Sequence, residues 1–235
     1  VNVVVGCPVV RREWIIDRWA EAAVASAAQA GHHPSFLVVA DARDPTIEVL
    51  AAAASRLRVE VTHVPIDEPR DVDERDWCPP RYVRMAELRN TLLAAVRALG
   101  PDLFWSLDSD IIAHPEAFTV MQGLLDAPIV ASSTCCYLSH NKSSPNYANF
   151  VRPSERLDRR YQPGVTITVD VIMANKLMTP AAYTVDYLPH QQGEDAGWCR
   201  NVRAAGGRLK WAAEPVSKHV QDRRQLDLVD DRCGY

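Results

Sequence analysis

Pro101-Asp102-Leu103-Phe104-Trp105-Ser106-Leu107-Asp108-Ser109-Asp110-Ile111-Ile112 is the stretch on which the reading of this chain turns. Four apolar residues and a serine lead straight into two carboxylates spaced i, i+2. A buried strand that ends in acids exposes them at the carboxyl edge of a sheet, where open α/β folds bind ligands. In an extended chain, positions i and i+2 point the same way. Two hard oxygen donors on one side can hold a divalent cation, and the cation can hold a diphosphate. Alone, such a pair is also a common way for a strand to end.

Upstream, β-branched and apolar runs alternate with helical patterns. Asn2–Gly6 and Ser35–Ala40 read as strands, and Arg58–Val64 alternates as a third. Glu13–Ala30 carries Ile15, Ile16, Trp19, Ala22, Ala23, Ala27 and Ala30 at helical spacing, and Gly31 stops it. Thr46–Arg56 reads as a second helix and Arg81–Leu99 as a long one. This rhythm predicts a parallel, helix-covered sheet. Gly6-Cys7-Pro8 lacks the G-x-G-x-x-G turn, which argues against a Rossmann dinucleotide site. Further on, Pro115–Leu125 reads as helix, Pro128–Cys136 and Val165–Ala174 as strands, Glu194–Ala205 as helix and Leu209–Ala212 as a short strand. Ile66–Pro80 is an acidic, proline-punctuated loop. Ser139–Pro163 is polar and irregular, with Lys142, Arg152, Arg156, Arg159 and Arg160 against Glu155 and Asp158; it is either a loop over a site or a solvated surface loop. No repeat or clean linker divides the chain, so 1–235 reads as a single domain.

The bulk properties narrow the function classes. With 235 residues and 47% hydrophobic composition the chain can bury a full core. A net charge of −4 argues against a general nucleic-acid coat, though not against a local basic groove. No apolar stretch approaches the roughly 20 residues of a membrane span. Val1–Val5 lacks a basic leader region and reads as part of the first strand. Cys7, Cys78, Cys135, Cys136, Cys199 and Cys233 form no C-x-x-C pair, which points to reduced, mostly buried thiols and a cytoplasmic setting. Alanine- and arginine-rich usage suggests a high-GC bacterial or phage source.

Two later features join the paired aspartates. Gly193-Glu194-Asp195-Ala196-Gly197-Trp198-Cys199-Arg200 opens a helix, where acids also suit the dipole. Val216-Ser217-Lys218-His219-Val220 places a histidine late in the chain, a residue that alone is more often structural. In this order the chain resembles the GT-A glycosyltransferases, family 2-like members especially. Val3–Glu13 is similar to their first strand and nucleotide-contacting turn, and Val38-Val39-Ala40-Asp41 to their second strand. Arg84-Met85-Ala86-Glu87-Leu88-Arg89-Asn90 is similar to the R-N helix before the D-x-D strand, and Glu194-Asp195 with Arg200 and Gly206 to the E-D motif. The first turn lacks the family's small polar triplet, and the tail after His219 is short.

The resemblance implies an α/β, GT-A-like three-layer sandwich with a mostly parallel central sheet. Residues 1–110 would form the nucleotide-binding half and 111–235 the acceptor-binding half. It implies a metal-dependent, inverting transfer of a sugar from a UDP- or GDP-sugar to a hydroxyl acceptor. Asp108 would bind ribose or the metal shell, Asp110 would ligate Mn²⁺ or Mg²⁺, and His219 would complete that shell. Asp41 would contact the base beside Pro8, and Arg84 or Arg89 would steady the nucleotide. Asp195 would be the base of an inverting transfer and Glu194 would hold the acceptor; in a retaining transfer Asp195 would only orient the acceptor. The basic Lys142–Arg160 stretch suits an anionic acceptor: a sugar phosphate, a lipid phosphate or phage modified DNA. Two alternatives stand beside this reading. One is a sugar-phosphate nucleotidyltransferase, although Arg11-Arg12 comes without the glycines that cradle a triphosphate. The other is a non-catalytic nucleotide- or carbohydrate-binding module on the same fold.

Overall fold

Side chains that alternate along the strands divide the apolar residues into two sets, one for each face of a single sheet. In β1 (Val3–Pro8), Val3 and Val5 face one helical layer and Val4 faces the other. Phe36 and Val38 of β2 (Ser35–Asp41) side with the first layer, Leu37 and Val39 with the second. A computed structural model describes residues 1–67, 79–138, 150–151 and 164–226. Apart from Phe150 and Val151, the Lys142–Arg160 stretch lies outside the described residues, as do most of the Ile66–Pro80 loop, Cys78 and Cys233.

The first layer holds α1 (Ile16–Gln29), α2 (Thr46–Leu57) and α4 (Ala117–Gly123). In α1, Ile16, Trp19, Ala20, Ala23 and Ala27 recur at helical spacing and are buried against the sheet. Trp19 meets Phe36 and Trp105 meets Phe118 in this layer. The second layer holds α3 (Pro79–Leu99), α5 (Pro180–Tyr183) and α6 (Glu194–Ala204). Leu92, Leu93, Val96, Trp198 and Val202 close this side. The result is a three-layer α/β sandwich, as the resemblance implies.

Among the described residues the sheet has nine strands, ordered β3-β2-β1-β4-β10-β6-β11-β5, with β8 also paired to β11. Here β3 is Val61–Ile66, β4 Leu103–Leu107, β5 Ile111–Ile112, β6 Val130–Leu138, β8 Thr166–Thr168, β10 Asn175–Met178 and β11 Arg208–His219. Strands β1, β2, β3, β4, β6 and β11 run one way, while β5, β8 and β10 oppose them. A separate two-stranded ribbon pairs β7 (Phe150–Val151) with β9 (Val171–Ile172).

Two expected elements come out differently. Val165–Ala174 is not one strand: it breaks into β8 and β9, and the sheet's central antiparallel strand, β10, follows. Asn175 and Lys176 hide that strand from a hydropathy pattern, because both are polar and both are fully buried. The strand expected at Leu209–Ala212 runs on to His219, with a register shift between Ala212 and Ser217 where the chain passes Pro215. That continuation delivers His219 to the edge where β4 ends.

Candidate active site

The register of the parallel strands brings the acids to one edge. Gly6 of β1 lies opposite Ser106 of β4, so Asp108 follows at the level of Pro8. Pro8 lies opposite Val39, and Asp41 closes β2 just beyond. After β4 the chain turns tightly, with Ile111 N–H donating to the Asp108 carbonyl at 2.9 Å. Short strand β5 then pairs with β11, setting His219 opposite Ile111. Val220 N–H donates to the Asp110 carbonyl at 2.8 Å. Two residues more than a hundred positions apart are thereby locked by backbone bonds, and His219 Nε2 lies 3.4 Å from Asp110 Oδ2.

Burial opposes charge on Asp110, but His219 and then Arg12 outweigh it and lower its pKa. Burial likewise disfavours the imidazolium of His219, and Asp110 reverses that, raising its pKa. Arg12 approaches the same carboxylate, with Nη2 3.7 Å from Oδ2.

Asp108 faces a different neighbour. Arg89, on α3 and nearly fully buried, donates through Nη2 to both its oxygens, at 3.0 and 3.2 Å. The same guanidinium donates through Nε to Glu194 Oε1 at 3.0 Å. Arg89 thus ties the end of β4 to the start of α6, at the cost of leaving its buried Nη1 without a partner among the described residues. Burial works against its charge, but Asp108, Asp195 and Glu194 outweigh that and raise its pKa. Burial raises the carboxyl of Asp108; Arg89 pulls it down, and Asp195 and Asp110 restore a net rise.

Glu194 and Asp195 open α6 behind Gly193, whose φ of 96° falls in the region that favours glycine. Both acids are buried, and they differ sharply. Burial and the neighbouring Asp195 raise the pKa of Glu194. Asp195 forms an ion pair with the Nζ of Lys176, a lysine with no exposed surface, and Arg89 Nε stands 3.8 Å from the same Oδ1. These two cations overcome burial and lower the Asp195 pKa. Both act at Oδ1; Oδ2 accepts no hydrogen bond from a described residue. The ammonium also faces the rings of Tyr187 and Trp198, at 5.3 and 5.5 Å from their centroids.

No family model matches the chain, and no curated protein matches it by sequence. Solved structures do match. The mannosyltransferase PcManGT from Pyrobaculum calidifontis, in complex with GDP-Man and Mn²⁺, superposes with a TM-score of 0.61 at 14% identity, over 100% of this chain and 65% of its own. The fold is the GT-A fold. Glucosyl-3-phosphoglycerate synthase from Mycobacterium tuberculosis, with Mg²⁺ and UDP, gives 0.56 at 15% identity, over 99% of this chain and 79% of its own. S. aureus TarS gives 0.57 at 11% identity, over 97% of this chain but only 38% of TarS.

Within this GT-A frame the residues expected from sequence separate into groups. Asp108, Glu194 and Asp195 are joined through Arg89, while Asp110 and His219 form a separate pair just past the turn that follows Asp108. Asp41, at the end of β2, accepts from Arg43 Nε and Nη2 at 2.9 and 2.7 Å. Arg84 is a half-exposed residue of α3 that pairs with Glu87 at 3.4 Å. Among the described residues no three His, Cys, Asp or Glu side chains form a ready metal cluster. Asp110 and His219 supply one oxygen and one nitrogen, a donor set that suits a divalent cation completed by phosphate oxygens and water. Lys176 and Arg12 are members of the site that the sequence reading did not assign. The sequence signal for Lys176 is slight: Asn175-Lys176 is a polar pair inside the otherwise apolar run Met173–Met178. The described cysteines, Cys7, Cys136 and Cys199, are buried free thiols. Burial pushes Cys199 up to about 12, which leaves it inert.

Proposed function

We propose that this chain is a metal-dependent glycosyltransferase that moves a sugar from a UDP- or GDP-sugar to a hydroxyl acceptor with inversion. The observation that carries the reading is the pairing of Asp110 with His219 at the carboxyl edge of a GT-A sheet, beside an Asp108 and a Glu194 that share Arg89. The GDP-Man and Mn²⁺ bound to the Pyrobaculum enzyme, and the UDP and Mg²⁺ bound to the mycobacterial one, support the donor class and the ion.

In this reading Asp110 and His219 would hold Mn²⁺ or Mg²⁺, which would supply positive charge against the negative charge gathering on the departing diphosphate. Asp108, oriented by Arg89, meets the ribose or a water of the ion's shell. Asp41 and Pro8 receive the base, and Arg84 lies on the helix that flanks the nucleotide. Residues 1–110 form the donor half and 111–235 the acceptor half. The acceptor oxygen attacks the anomeric carbon, the bond to the diphosphate breaks, and the hydroxyl proton passes to Asp195 through Oδ2. Lys176 acts through Asp195, keeping its carboxylate ionised and its orientation fixed. Glu194, braced by Arg89, holds the acceptor. The charge of the Lys142–Arg160 stretch supports an anionic acceptor, whether sugar phosphate, lipid phosphate or modified DNA. No described helix is long and apolar enough to cross a membrane.

Isothermal titration of UDP and GDP tests the reading. One of the two should bind only with Mn²⁺ or Mg²⁺ present, and Asp110→Ala should abolish that binding. Equal affinity without the ion, or undiminished affinity in Asp110→Ala, would overturn it.

A further inference from the structure

The turn between β1 and α1 is held in a conformation its sequence does not favour. Arg11 has φ of 50°, in the left-handed region that non-glycine residues avoid. Strain of this kind persists only where the surroundings impose it, and it concentrates at functional sites. Here the loop between β2 and α2 imposes it. Arg11 N–H donates to Asp44 Oδ2 at 2.8 Å, and Arg12 N–H donates to the buried Thr46 Oγ1 at 2.7 Å. Asp44 is itself fixed, its Oδ1 accepting from Thr46 N–H at 2.9 Å.

The effect of this clamp is to aim Arg12 into the site. Its guanidinium carbon lies 5.9 Å from the centre of the Trp14 ring, and its Nη2 lies 3.7 Å from Asp110 Oδ2. That separation is beyond hydrogen-bond length, so the contact is an ion pair without a hydrogen bond. Asp110 Oδ2 is also the atom that faces His219. A cation ligated by Asp110 and His219 must take the place of Arg12. Arg12 is then left without its carboxylate, on a partly buried stem, next to the position of the incoming diphosphate. A guanidinium is suited to that ligand, because its planar fork matches phosphate oxygens in pairs.

We propose that Arg12 is a diphosphate-binding residue that rests on Asp110 and is handed over to the nucleotide when a divalent cation occupies that carboxylate. The diphosphate half of this proposal rests on the donor reading above; the exchange at Asp110 does not. Arg12 therefore opposes the free metal and favours the metal–nucleotide pair, so the two ligands bind cooperatively.

The test is isothermal titration on the whole chain, wild type against Arg12→Ala and Arg12→Gln, with thermal melts confirming that both variants fold. The probes are Mn²⁺ alone, UDP and GDP with Mn²⁺, and uridine and guanosine. Both variants should bind Mn²⁺ alone several-fold more tightly. They should bind the preferred diphosphate about ten- to a hundredfold more weakly, the loss expected for charged hydrogen bonds. Nucleoside binding should not change. Diphosphate affinity within twofold of wild type would overturn the proposal. If wild type binds neither diphosphate, the donor reading fails, and Mn²⁺ alone still decides the exchange: unchanged or weaker Mn²⁺ binding in Arg12→Ala overturns it.

Discussion

Replacing Lys176 with methionine removes the ammonium that faces Asp195, Tyr187 and Trp198 while keeping an unbranched side chain of similar length. Removing one partner of a buried ion pair costs about 3–5 kcal/mol, because the other charge stays buried and unpaired. Lys176 has no exposed surface and the Asp195 side chain is 7% exposed, so solvent does little to relieve it. Arg89, 3.8 Å from the same oxygen, compensates in part, which places the expected loss at the low end, about 3 kcal/mol. The pH dependence gives the prediction its sign. In the wild type the Asp195 pKa is held below its unfolded value of about 3.9, so its contribution is present above that pH and is lost as pH falls through the folded pKa. The Lys176 pKa is raised, so its side of the pair is present below about pH 10.4 and is lost only as pH rises through the folded value. In the variant, burial acts on Asp195 without the ammonium and raises its carboxyl, so protonation relieves the fold on acidification. Urea unfolding at pH 7 and at pH 4.5 reads both effects. The deficit should be about 3 kcal/mol at pH 7 and clearly smaller at pH 4.5. A deficit under about 1 kcal/mol at pH 7, or one equal at both pH values, would refute the reasoning.

Two further substitutions probe the frame that holds the site. Asn175→Ala removes the acceptor of Trp105 Nε1–H, at 2.7 Å, and the donor to Thr134 Oγ1, at 3.0 Å, all in the core. It should cost about 2–3 kcal/mol in urea unfolding, since a buried indole N–H loses its partner; a loss under about 0.5 kcal/mol would contradict this. Gly197→Ala would set a Cβ 2.0 Å from the Leu188 carbonyl oxygen, where backbone cannot yield. The first turns of α6 must then move. We expect a loss of about 3 kcal/mol in thermal stability together with loss of diphosphate binding, and unchanged melting would show that the helix has room after all.

Much of the fold is legible in the sequence because periodicity reports burial. Val3–Gly6, Phe36–Ala40 and Leu103–Leu107 are apolar runs bounded by breakers, and the α1 stripe repeats at helical intervals. The order of the candidate acids and the late histidine is legible too, because parallel strands send their carboxyl ends to one edge. Two kinds of feature are not. A buried polar residue reads as exposed until its partner is known: Lys176 finds Asp195 across 19 positions, and Asn175 finds Trp105 across 70. That is why β10 escapes a pattern search. A carboxylate's partner is equally silent in the sequence. Asp108 and Asp110 look equivalent in D-x-D, yet one is taken by Arg89 and the other faces His219 and Arg12. The tight turn after β4, closed by Ile111 N–H on the Asp108 carbonyl, ends the extended geometry in which the two acids would share a side, and the helix behind it decides that Asp108 meets Arg89.

Strand β10 is only four residues long, yet it is stitched between β4 and β6. A late piece of chain therefore forms the keystone of a sheet begun by the early piece. Recombination that exchanged everything after residue 110 for the matching segment of another chain would inherit a seam running through the middle of the sheet. Such a chimaera folds only if the donor segment brings an opposing strand able to satisfy Trp105 of the recipient.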